Sequence, residues 1–216
     1  MADKIVIAAE PQVIAESIKR KEPGKWRSVP NPLTAQLRPW QVAAAALRYA
    51  PTHEYNIIVA GTIDGSPVYL DSYLESKYFF YKNCLLFLSL VPHSECNIKF
   101  FKCLGHAKGE GADLLYFAMK YLATTEPIDT KVTLEPDYSM SEPGQFQGSN
   151  EERNKKLVAY YTKLGFTPVD GTAKPAMENT IATLIERLDK LQSKTAGGRS
   201  STRKRSSTRK RSPPKN

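Results

Sequence analysis

The sequence predicts an α/β domain, more closely an α+β fold with one mixed sheet: a central, mostly antiparallel sheet flanked by helices. Three observations predict it. In "YNIIVAGTIDGSPVYLDSYL" apolar residues alternate on either side of Asp64-Gly65, a strong hairpin signal. Directly after the glycine-rich "GHAKGEG" the apolar period changes from two to that of a helix. A further helix, "RNKKLVAYYTKLGF", carries its own start and stop signals.

Taken in order, residues 4–8 ("KIVIA") read as a short first strand, and "PQVIAESIKRK" as helical. Residues 21–38 are rich in Pro and polar groups and read as irregular. Pro39 suits a helix start, and "WQVAAAALRYA" follows as a strong helix. After the hairpin at Asp64-Gly65, "CLLFLSLVPHSECNIKFFKCL" gives two strands joined by a turn at 92–95. Leu114, Leu115, Ala118, Tyr121 and Leu122 then form a broad apolar helix face. "TKVTLEP" is a strand and "DYSMSEPGQFQGS" a polar loop. Ser149 and Glu152 form an S-x-x-E capping box ahead of the Asn154–Leu164 helix, and Gly165 stands where a left-handed cap is usual. "FTPVDG" reads as a last strand or strand start. A helix at about 179–193 carries Ile181, Leu184, Leu188 and Leu191 at a/d spacing. Two heptads are too few for a coiled coil, so it docks on the body or makes a weak dimer contact.

The chain has 216 residues, 41% of them hydrophobic, enough for one domain with a core plus tails. No apolar run approaches a membrane span, and the N-terminus lacks the long apolar region of a signal peptide. Cys84, Cys96 and Cys103 are odd in number and without CxxC spacing. They argue for a reducing, intracellular compartment, cytoplasmic or nuclear, and against a disulfide framework or structural zinc. His53, His93 and His106 form no metal-ligand pattern, so no metal is expected. Eight Lys or Arg and no acid fall within residues 195–216. Removing them from the net charge of +9 leaves a body near +1. The repeat "RSSTRKRSSTRKRS" reads as disordered. It suits nucleic acid or another polyanion through residues 199–215, a nuclear import signal, or simple solubilisation.

Gly105, Gly109 and Gly111 lie between a strand and a helix. Such a loop offers backbone N–H groups at the positive end of the helix, an anion site, or else a plain flexible turn. No Ser or Thr N-cap precedes Ala112 and Asp113, so a ligand could satisfy the amides. The P-loop pattern fails because no Ser or Thr follows a Gly-Lys, and the dinucleotide fingerprint fails because Leu114 stands at its third glycine. In the later helix, Asn154, Leu157, Tyr161 and Leu164 share one face. Asn154 and Tyr161 put polar groups there, as a buried amide and hydroxyl with local partners or as ligand contacts.

With H-A-K-G-E-G followed by N-x6-Y-x-K-L-G-F, the chain resembles the GNAT superfamily of acetyl-CoA-dependent N-acyltransferases over roughly residues 55–170. Gly109-Glu110-Gly111 match the [QR]-x-x-G-x-[GA] pyrophosphate loop, and Asn154 to Phe166 match the more specific N-x-x-A-x-x-L-Y-x-K-L-G-F helix. His106 stands at the Gln or Arg position, and Leu157 and Tyr160 at the Ala and Leu positions. The resemblance implies a GNAT-like acyl-CoA N-acyltransferase domain over 1–175, a C-terminal helix at 176–194 and a basic tail at 195–216. It implies that Cys103, Leu104, His106, Lys108, Gly109, Glu110, Gly111 and Ala112 hold acetyl-CoA, used as co-substrate. Asn154 would face the pantetheine arm, and Tyr161 the thioester sulfur, as the catalytic acid. The acetyl group would pass directly to a primary amine in a cleft between two splayed parallel strands, at about 97–103 and 131–135.

An amine with pKa near 10.4 is almost wholly protonated at pH 7, and freeing it costs roughly 4–5 kcal/mol. Asp71, Glu75 and Glu135 are candidate bases or plain surface carboxylates. The acceptor stays open among small amines, polyamines and protein amines; Asp137, Glu142 and Glu151 give thin support for a polyamine. The alternative is a non-catalytic GNAT-like module tethered to nucleic acid by its tail. A monomer or weak dimer without membrane contact is expected.

Overall fold

The computed structural model describes residues 4–18, 55–103, 109–136, 149–171 and 176–198. Among them are nine strands and three helices. The strands are β1 (Ile5–Ile18), β2 (Tyr55–Ile63), β3 (Ser66–Tyr73), β4 (Ser76–Tyr81), β5 (Cys84–Val91), β6 (Glu95–Cys103), β7 (Lys131–Leu134), β8 (Thr167–Val169) and β9 (Ala176–Thr180). The helices are α1 (Glu110–Leu122), α2 (Asn150–Leu164) and α3 (Ile181–Gly198). All nine strands form one sheet in the order β1-β2-β3-β4-β5-β6-β7-β9-β8.

From β1 to β6 each strand pairs antiparallel with the next, as short turns require. The β2–β3 turn falls at Asp64-Gly65, both with positive φ (49° and 73°), the geometry that two-residue hairpin turns favour. The connection from β6 to β7 contains α1, and these two strands pair in parallel, from Glu95↔Lys131 to Ile98↔Leu134. A parallel pair is therefore present, its pairing at 95–98 overlapping the expected 97–103 only at Asn97 and Ile98. At Lys99 the β5–β6 register slips by one, between Phe87↔Phe100 and Leu88↔Ile98. Such a bulge bends a strand and increases its twist. Beyond it β6 runs on to Cys103 beside β5 alone, with no partner in β7.

Two elements differ from expectation. Residues 12–18 continue β1 as a strand paired with β2, where a helix was expected. Val13, Ile14 and Ile18 are β-branched, and pairing with Ile57–Val59 decides between two periods that a short run leaves ambiguous. Pro11 lies at the register shift between Ile7 and Gln12 on this edge strand, a position proline tolerates. The C-terminal unit also begins differently: 176–180 is β9, inside the sheet between β7 and β8, and the helix is Ile181–Gly198 rather than 176–194. The strand β4 adds a further antiparallel arm between β3 and β5. The helix expected at 40–50, the irregular stretch 21–38 and the basic tail 199–216 lie outside the described residues.

The core lies between the sheet and the helices. Leu114, Leu115, Phe117, Ala118, Met119 and Leu122 of α1 are buried with Leu70, Phe79, Leu86 and Leu88 of the sheet. Each fully buried Leu or Phe contributes about 1.5–3 kcal/mol. Ile181, Leu184 and Leu188 of α3, with Leu157, Tyr161 and Leu164 of α2, complete the same cluster. The α3 heptad face therefore docks on its own body. Lys4 Nζ bonds Asp113 Oδ1 (2.7 Å) and Gln192 Oε1 (2.5 Å), and the Gln192 amide also donates to Asp113, linking the start of β1, α1 and α3.

Candidate functional site

Three segments meet at the start of α1: the end of β6, the first turn of α1 and the second half of α2. The N-cap of α1 is Gly109, left-handed at φ 91°, and no side chain caps the helix. A side chain at 109 would be strained by that φ, although among the described residues a Cβ there would meet nothing within 4 Å. Glu110 and Asp113 would oppose an anion there, but each pairs with a lysine: Glu110 Oε1 with Lys82 Nζ at 3.2 Å, and Asp113 with Lys4.

Gly111 is enclosed from the other side. A Cβ at 111 would lie 3.1 Å from Cys103 Sγ, 3.2 Å from Phe101 Cζ and 3.3 Å from the Tyr160 hydroxyl oxygen. A side chain here would require these neighbours to give by a few tenths of an ångström. Ala112 is half-buried beside the same core. Leu104, His106 and Lys108 lie outside the described residues, as do Asp137 and Glu142.

The helix α2 is held at both ends. At its start Glu152 N–H donates to Ser149 Oγ (3.3 Å) and Ser149 N–H to Glu152 Oε2 (2.8 Å), completing the capping box. At its end Gly165 is left-handed (φ 115°), the Asn179 side-chain amide donates to Gly165 O at 2.7 Å, and Arg187 Nε donates to Lys163 O at 3.3 Å. So β9 and α3 fix the end that carries the tyrosines.

Tyr161 is 8% exposed and packs against Phe101 of β6 (ring centroids 6.5 Å apart) and Phe166 (6.0 Å). Burial, and then neighbouring Tyr160, push its phenol well above the ordinary 10. Tyr160 is 39% exposed along its length, yet its hydroxyl reaches Gly111; burial pushes that phenol up to about 12. Tyr160 lies about 100° around the helix from Tyr161, yet its long side chain comes back to Gly111 in the first turn of α1. Asn154 Oδ1 is buried without a hydrogen-bond partner among the described residues, an orphaned acceptor rather than an amide satisfied by local contacts.

The cysteines overturn an expectation. Cys84 and Cys103 face each other in the β5–β6 register and are bonded as a disulfide. Cys103 is thus a disulfide sulfur beside the loop, and the odd cysteine count gives no support for a reducing compartment. The missed signal was hairpin symmetry: Cys84 and Cys103 stand nearly equidistant from the 92–94 turn, so the arms carry them opposite each other. Cys96 remains a thiol, buried and pushed up to about 12.

Of the candidate bases, Asp71 is buried in β3, whereas Glu75 and Glu135 are exposed. Two strands separate β3 from β6, on the order of 14 Å at the usual spacing. Asp71 therefore cannot touch a group held at β6. Among the described residues no helix is long and apolar enough to cross a membrane, and no group of three or more His, Cys, Asp or Glu could hold a metal ion.

No family model matches this chain. No curated protein matches it either. Among solved structures it is similar to the crystal structure of anti-CRISPR protein AcrVA5, at 12% identity over 49% of this chain and 99% of that chain, with a TM-score of 0.36. A likeness at that level carries no argument about activity. Among the described residues the chain is an α+β protein with a single mixed nine-stranded sheet.

Proposed function

We propose that this chain is a GNAT-like N-acetyltransferase that moves an acetyl group from acetyl-CoA to a primary amine. The observation that carries the reading is the uncapped, glycine-entered N-terminus of α1, faced by the end of β6 and by the tyrosines of α2. Among the described residues nothing crowds Gly109, and a pyrophosphate there would accept hydrogen bonds from the first-turn amides and gain from the helix dipole. Lys4 and Lys82 neutralise the two carboxylates that would otherwise repel it. The orphaned Asn154 Oδ1 fits an amide N–H of the pantetheine arm. When bound, acetyl-CoA supplies the thioester carbonyl and the leaving sulfur. Past Ile98 this edge of β6 pairs with no strand among the described residues, and its backbone N–H groups would polarise that carbonyl. Tyr161 keeps its proton throughout the working pH range, because burial disfavours the phenolate, and so remains a donor toward the departing sulfur.

The acceptor is an amine of a small molecule, polyamine or protein. In the same reading, the basic residues at 199–215 hold nucleic acid or another polyanion near the domain. Calorimetry with acetyl-CoA on the full chain tests the cofactor assignment. The wild type should bind, and Gly109→Val, which strains the left-handed turn and fills the space beside the amides, should weaken binding at least tenfold, about 1.4 kcal/mol. Unchanged affinity in a folded Gly109→Val protein removes this loop as the phosphate site.

A further inference from the structure

The disulfide sits beside the first turn of α1. Cys103 is the last residue of β6, six residues before the left-handed Gly109, and its sulfur is one of three groups closed around Gly111. Its partner Cys84, the first residue of β5, is 1% exposed and fixed in the core. Cys103 is only partly buried. When the bond breaks, the two sulfurs must separate from bonding to van der Waals distance, and Cys103 is the one with room to move. Phe101 and the Tyr160 hydroxyl crowd the same point beside Gly111. A Cys103 sulfur displaced toward that point presses on the first turn of α1.

We propose that Cys84–Cys103 is a reversible thiol–disulfide site, and that its oxidised form is the one that holds the N-terminus of α1 ready for an anionic ligand. The proposal rests on the acetyl-CoA reading of that N-terminus. A dithiol reductant reverses the bond in two exchanges. One reductant thiolate attacks a protein sulfur, the S–S bond breaks, and a mixed disulfide forms as the other cysteine takes up a proton. The second reductant thiolate then displaces the first protein sulfur, which is protonated in turn. Two electrons and two protons end on Cys84 and Cys103, and the dithiol leaves as a cyclic disulfide. Cys96, buried on β6 and unbonded, takes no part and serves as an internal reference.

Two measurements on the full chain test this. Under denaturing alkylation with iodoacetamide, the oxidised protein should gain one label, on Cys96, and the protein treated with dithiothreitol three. Three labels before reduction overturn the proposal. Calorimetry then uses acetyl-CoA as probe, with dithiothreitol removed beforehand, because a thioester sulfur cannot enter thiol–disulfide exchange with the oxidised protein. Affinity should fall at least tenfold on reduction and return on reoxidation. The Cys84→Ser, Cys103→Ser double variant should bind as weakly as reduced wild type and ignore dithiothreitol. Equal or tighter binding after reduction overturns the proposal while leaving the acetyltransferase reading in place. Binding in neither redox state removes both.

Discussion

Burial places the two adjacent tyrosines of α2 in different environments. Tyr161 lies inside, between Phe101 and Phe166, with its phenol held far above the ordinary value. Tyr160 lies outside but bends its hydroxyl onto Gly111. Tyr161→Phe should lower turnover ~10²–10⁴-fold with little change in acetyl-CoA affinity. Turnover within threefold of wild type would make Tyr161 a packing residue. Tyr160→Phe should do the reverse, raising the acetyl-CoA dissociation constant more than it lowers turnover; steady-state kinetics beside calorimetry separates the two. The pH dependence follows from the same burial. A raised phenol pKa means that the neutral, donating form persists above pH 10, so kcat/KM should rise with pH as the amine loses its proton. No decline attributable to Tyr161 should appear below pH 10. An alkaline limb centred below pH 10 that Tyr161→Phe abolishes would show the phenol to be unshifted.

At the scale of elements, α2 depends on its ends more than on its own propensity. Leu157, Tyr161 and Leu164 are its buried residues, and most of the remaining surface is charged or polar. Ser149→Ala removes the acceptor for Glu152 N–H and should cost about 1 kcal/mol, seen as a lower denaturation midpoint at unchanged m-value. No shift would mean that β9 and α3 alone hold the helix. These ends were legible in the sequence because capping is local: S-x-x-E and a following Gly need no tertiary partner to be read. The Asp64-Gly65 and 92–95 turns were legible for the same reason. The strand at 12–18 was not, because its state depends on a partner strand some forty residues away. Nor was β9, whose "AMENT" has neither clear alternation nor a hairpin turn and is strand by insertion between β7 and β8. In the site, the glycines and Tyr161 could be named in advance, but the return of the Tyr160 hydroxyl to Gly111 and the Cys84–Cys103 bond needed the register and bend of β6.

At the scale of the whole molecule, charge is divided between a near-neutral body and a basic end. Residues 199–216 should carry most of any nucleic-acid affinity, with little sequence preference, because they offer charge and no rigid set of base-reading groups. Engaging about six phosphates of duplex DNA should give a log–log salt slope near −5. Cutting after Gly198, where α3 ends, should keep acetyl-CoA binding and lose most DNA binding in a filter assay across a salt series. Equal DNA binding by the shortened chain would place the polyanion site on the folded body. The position of β9 has a consequence for how such a chain is made. Val132 and Leu134 of β7 are sheltered on one side by β6 and on the other by β9, which is the last strand to be translated. At about 5–20 residues per second, several seconds separate the synthesis of Leu134 from that of Met177. Through that interval a nascent chain presents an unpaired, apolar strand edge on β7. A chain stalled or cut before Ala176 should therefore emerge as a chaperone client prone to aggregate, not as a slower version of the finished protein.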